Sequence, residues 1–264
     1  MTGIRKIAAA GLAAIACLAL VSTTSTTTAT AATAATATAP EAATTRPAPK
    51  AASASVKRAT AKAPAKVAAG TDFSSIFAGQ PGDLVNSGWG TCATPISWSV
   101  DTAGLSAADA AAQIANIDWA LGQWSQVSGL TFQYAGTEQL TYNEAAFTLT
   151  PAGGVQQRHI YLAFVPAAQS SRLNADTVGM ASPSQVWPTT KEITTGTAVF
   201  SSDYVATSSA KADRALYLHE LGHVLGLAHA QSSANIMYPV VTTGTTLGSG
   251  DVAGVRSMTK PCTA

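Results

Sequence analysis

The chain has 264 residues, 47% of them hydrophobic and only 11% charged, with a formal net charge of +1. The charge is unevenly spread: residues 1–70 hold eight Lys and Arg against Glu41, whereas residues 71–264 hold seven against thirteen acids, a balance near −6. That acidic balance argues against nucleic acid as a partner of the larger part, and its length is enough for one domain with a real core.

In chain order, Arg5 and Lys6 precede a short apolar run, Ile7 to Val21, and small-residue A-x-A sites such as Ala29-Thr30-Ala31. This is the pattern of a cleaved export signal over residues 1–31. The run is shorter and more Ala-rich than a spanning helix of ~20 apolar residues, so the expectation is a secreted, extracellular protein with no stable membrane insertion. Ala14 to Cys17 faintly resembles a lipoprotein box, but Leu18 to Val21 continue the apolar run past the cysteine. Residues 32–70 are Ala, Thr, Ser, Pro and Lys with almost no large apolar groups. They bury too little surface to offset ordering entropy and should be disordered. A solubilising linker, a pro-segment and a basic tether to an anionic cell wall are the readings this composition allows.

The folded part should be residues 71–264. Ile96 to Val100 alternates as a strand. Ser106 with Asp109 opens a helix that carries Ile114, Ile117, Leu121, Trp124 and Val127 and ends at Gly129. Leu130 to Tyr134 is a second strand, and His159 to Val165, a continuous apolar run, a buried third. Thr177 to Ser182 suits a sheet edge stopped by Pro183. Thr197 to Phe200 is a further strand, Ala212 to Leu225 a helix, and a last helix follows Ser249. The order predicts an α/β chain with a mixed sheet. With Cys17 lost in the signal, Cys92 and Cys262 most simply form a disulfide in an exported domain. The alternative is a Cys92 thiolate that caps a metal.

Residues 219–230 read HELGHVLGLAHA, with three of the chain's four histidines. On a helix, His219 and His223 at i and i+4 share a face and one ion. Glu220, about 100° around the helix, stands beside that ion as a base. Gly226 permits the left-handed turn that doubles the chain back, so that His229 arrives from another direction. Three imidazoles leave a fourth tetrahedral position for water, the layout of a catalytic zinc site. Two core histidines bonded to backbone would be the bland alternative, but Gly226 and His229 at fixed offsets are hard to obtain by accident.

This H-E-x-x-H-x-x-G-x-x-H string, followed by Asn235-Ile236-Met237-Tyr238-Pro239, resembles the metzincin zinc endopeptidases, in its wording most closely the matrixin branch. The resemblance implies a metzincin-like α/β (α+β) fold: a twisted mixed sheet, an active-site helix, a methionine turn and a C-terminal helix. It implies one catalytic Zn2+ on His219, His223 and His229, Glu220 as general base, Met237 beneath the metal, and Tyr238 lining the substrate pocket. A protein or peptide substrate would lie extended along an edge strand near Val178 to Ala181. Departures are Ala230 after the third histidine, Pro239 where the astacin branch has a zinc-binding tyrosine, and the lack of a P-R-C-G latency motif. Nor does a His- and Asp-rich segment precede the helix, so a second, structural zinc is not expected.

His159 reads as structural. Asp176, Glu192 and Asp203 are calcium candidates by chemistry, but they are sparse and unpatterned. Asp251 suits the positive end of the last helix. The first functional expectation is a monomeric secreted zinc endopeptidase. The alternatives are an inactive metal-binding adhesion module and a hydrolase of cell-wall peptide bridges assisted by the basic tail. An intact Glu220 argues against the inactive module, because a pure binder needs no base.

Overall fold

The computed structural model describes residues 5–6, 70–78, 86–240 and 243–262. Apart from Arg5 and Lys6, the expected export signal, and all of the 32–70 linker but Gly70, lie outside the described residues. A six-stranded sheet runs in the order β1 (Arg5–Lys6), β7 (Gly179–Val186), β8 (Ile193–Ser201), β6 (His159–Val165), β2 (Ile96–Asp101), β3 (Phe132–Thr137). β3, β2, β6 and β8 are mutually parallel, whereas β7 is antiparallel to β8, and β1 to β7. The expected mixed α/β sheet is therefore present.

β6 shows why its sequence is apolar throughout. Alternate side chains point to opposite faces. Ile160, Leu162 and Phe164 join the core under the helices, and Tyr161, Ala163 and Val165 join a second cluster with Leu140, Phe147 and Leu149. That second face is covered by a hairpin, β4 (Leu140–Asn143) and β5 (Thr148–Pro151), which the sequence pattern does not announce. β7 corrects a second expectation, since it continues through Pro183 to Val186. Proline lacks the amide for a ladder bond, and the register slips just after it, between Pro183 and Gln185, before pairing resumes.

The helices lie on the first face. α1 (Ala107–Ser128) begins at Ser106, whose hydroxyl accepts from the Asp109 amide, and ends at Gly129 with φ 76°. α3 (Ala210–Val224) packs on α1 and on β7 and β8. Two indoles fix it: Trp124 donates to Leu218 O at 3.1 Å and Trp89 donates to Val224 O at 2.9 Å. The second bond satisfies one of the carbonyls that a helix end leaves without an intrahelical partner. Nearer its start, Tyr217 donates to Gln113, which donates to Asp213. A short α2 (Ser202–Val205) follows β8, and α4 (Ser249–Met258) closes the fold. Cys92 and Cys262 are disulfide-bonded, so the chain just before β2 is joined to the chain just after α4.

Candidate active site

α3 presents His219 and His223 one turn apart, and Gly226, at φ +103°, reverses the chain behind them. A side chain at that φ would be strained. Three residues later His229 faces the pair. The nearest ligand nitrogens of the three imidazoles all lie within 4.8 Å of one another, with ring centroids 4.8, 5.3 and 4.9 Å apart.

Hydrogen bonds orient two of these rings. His219 Nδ1 lies 2.8 Å from Ile236 O, and His223 Nδ1 lies 2.7 Å from Leu227 O. A carbonyl only accepts, so each Nδ1 carries the proton and each Nε2 keeps a free lone pair. Burial drives both rings toward neutrality. His219 is pulled down to about 4, mainly by desolvation, with His229 adding to the shift and the Ile236 carbonyl opposing it. His223 is pulled down to about 3, by desolvation and then by His219 and His229, against the Leu227 carbonyl. Burial also lowers His229. Neutral imidazoles with inward lone pairs are the donors that zinc takes, and three of them leave a coordination position free. The residues present therefore fit a zinc ion.

Glu220 is 5% exposed and shares the cleft with the three histidines. Burial pushes its carboxyl up to about 8. Across from it Gly179 of β7 has no side chain; a Cβ there would stand 2.9 Å from Glu220 Cγ and Oε1 and from Leu216 Cδ1. The cleft has a volume of about 680 Å³, and β7 residues Gly179 to Ala181, together with Val178, form one wall.

Met237 is buried, and its sulfur lies against Gly222, between the two helical histidines, where a Cβ would collide with it. Its turn is tied at both ends: Ala230 N donates to Met237 O at 2.7 Å, and Asp251 accepts from the amides of Ile236 at 2.7 Å and Met237 at 3.1 Å. Asp251 also accepts from Gly248 N at 2.7 Å. The place of Asp251 early in α4 was legible in the sequence; its grip on the methionine turn emerges from the fold. Tyr238 lines a separate recess of about 120 Å³ with Ala215, Asn235 and Val240, whereas Pro239 and Val240 reach the main cleft.

The remaining candidates are dispersed. Asp176 lines the cleft, Glu192 pairs with Arg158 at 3.1 Å, and Asp203 accepts from Ala167 N. Among the described residues, the three histidines are the group of His, Cys, Asp or Glu side chains close enough to share a metal. His159 is buried elsewhere, 2.8 Å from Ser99 Oγ and stacked on Tyr161.

Residues 89–259 match the profile of the matrixin (Peptidase_M10) family. Metalloendoproteinase 2-MMP of Arabidopsis thaliana is 27% identical over 146 residues, which are 52% of this chain and 34% of that protein. The chain thus spans about a third of the length of the curated relative it matches.

Proposed function

The chain belongs to the matrixin family, and on that premise we propose that it is a secreted zinc-dependent endopeptidase, with His219, His223 and His229 holding one zinc ion and Glu220 as general base. The family implies zinc-dependent hydrolysis of peptide bonds. For this chain the supporting observation is the convergence of three imidazoles beside a buried carboxyl.

His219, His223 and His229 would hold the zinc ion, which when bound would supply Lewis acidity and acidify a water near neutral pH. Glu220 takes the proton of the attacking water and passes it to the leaving amine. Burial in the metal-free site raises the proton affinity of its carboxyl. The main chain of Val178 to Ala181 pairs with an extended substrate, so that affinity comes from backbone bonds and makes little demand on sequence. The chain would reach its substrate through the export signal of residues 1–31, with 32–70 as linker or pro-segment. Sequencing the N-terminus of secreted protein checks those boundaries.

Cleavage of a quenched peptide or of casein by wild type and Glu220→Ala tests the reading. Wild type should lose activity to a chelator and regain it with zinc, and the variant should be inactive while still binding zinc. A wild type that binds zinc yet keeps its activity in chelator would sink the proposal.

A further inference from the structure

His219 and His223 are placed by a helix, but His229 sits on a loop, and a loop needs another source of order. That source is a short segment, residues 72–76, far away in sequence and outside the family match at 89–259.

The segment runs antiparallel to the chain that leads into His229. Ile76 N donates to Gly226 O at 2.9 Å, Ser75 bridges Leu227, and Ala228 N donates to Ser74 O at 2.8 Å. Ser74 Oγ reaches His229 O at 3.3 Å. Beyond the histidine, Asp72 takes over. It is 7% exposed, and its carboxylate accepts from Gln231 N and Ser232 N, both at 2.8 Å, and from Asn235 Nδ2 at 2.7 Å. The peptide amides on either side of His229, at 228 and 231, are therefore both held by this one segment. Charge-assisted bonds from a carboxylate to amides are among the stronger hydrogen bonds, and here they fix the main chain just beyond His229, from which its ring projects.

We infer that residues 72–76 form a strap that positions His229, with Asp72 as the positioning residue for the third metal-binding imidazole. The inference rests on the zinc reading above. Without Asp72, the loop from His229 to Asn235 loses three of its donors' partners, and the site falls back toward the two helical histidines. Any processing that yields an active enzyme therefore leaves Asp72 on the chain.

The test is zinc affinity, by chelator competition, of the full chain carrying Asp72→Ala, Asp72→Asn, His229→Ala, and Asp72→Ala combined with His229→Ala. Asp72→Ala should bind zinc about 10- to 100-fold more weakly. Asp72→Asn, whose amide keeps one acceptor oxygen, should lie between it and wild type. In the His229→Ala background, adding Asp72→Ala should cost nothing more, because the side chain it positions is gone. An equal loss in both backgrounds makes Asp72 a general stabiliser and overturns the inference, as does an affinity within about twofold of wild type in both Asp72 variants. If Asp72→Ala does not fold, Asp72→Asn takes its place in the cycle. A wild type that binds no zinc defeats the strap and the metallopeptidase reading together. A wild type that binds zinc, with both Asp72 variants its equal, defeats the strap alone.

Discussion

Glu220 carries the sharpest consequences of a single side chain. Its folded pKa of about 8 lies above its ordinary value of 4.5. The folded metal-free protein thus holds a proton that the unfolded chain releases, and this contribution to stability falls as pH rises from 4.5 through about 8. Glu220→Gln removes that slope. Between pH 7 and 9 the zinc-free variant should melt at a higher temperature than zinc-free wild type, while its zinc-loaded kcat drops by about 100- to 10,000-fold. Calorimetry and peptide turnover read the two effects separately. Gly179→Ala probes the same carboxyl from across the cleft. Its backbone is not in the left-handed region, so alanine fits the chain, but the new methyl meets Glu220 and Leu216 at 2.9 Å. Zinc stoichiometry should stay at wild-type level while kcat falls about 10- to 100-fold, because displacing a reacting group by about an ångström is that costly. The three histidines and Glu220 were legible in the sequence because they lie within eleven residues: helical geometry aligns His219 with His223, and the turn at Gly226 brings His229 back toward them. Asp72 was not. It is a lone acid 159 residues from its first partner, and only the tertiary fold brings the two together.

Among the elements, the methionine turn depends on α4. Asp251→Ala strands the amides of Ile236, Met237 and Gly248, two of them in the turn itself. At about 1 kcal/mol for each lost bond, more where the amide is buried, the loss should be about 3 kcal/mol. Denaturant unfolding checks it, and a change within about 0.5 kcal/mol would show that the turn holds itself. Helices α1, α3 and α4 were legible because each carries an apolar face at helical spacing, and α1 its own start signal at Ser106 as well. The β4–β5 hairpin was not, since its four-residue strands, LTYN and TLTP, are too short for periodicity to register. Leu140 and Leu149 become core residues only against the second face of the sheet. Pro183 misled for a related reason: the rule that proline ends a strand weakens where an irregular register absorbs the missing amide.

For the molecule as a whole, the bond between Cys92 and Cys262 spans 170 residues. Closing so long a loop restricts the unfolded chain, by up to about 5 kcal/mol in the chain-entropy view. Replacing both cysteines by serine should lower the melting temperature by many degrees yet leave turnover at 25 °C near wild type, because neither cysteine lines the cleft. A variant that is inactive while fully folded would contradict this. The two tryptophans that anchor α3 have one more use. Their indole nitrogens donate at Leu218 and Val224, immediately before His219 and after His223. Each ring is thus a built-in optical gauge of the ligand helix. Loosening that helix would let water reach these indoles and shift their emission to the red, so once Trp98, Trp119 and Trp187 are replaced by phenylalanine a fluorescence scan can follow that helix without label, substrate or dye.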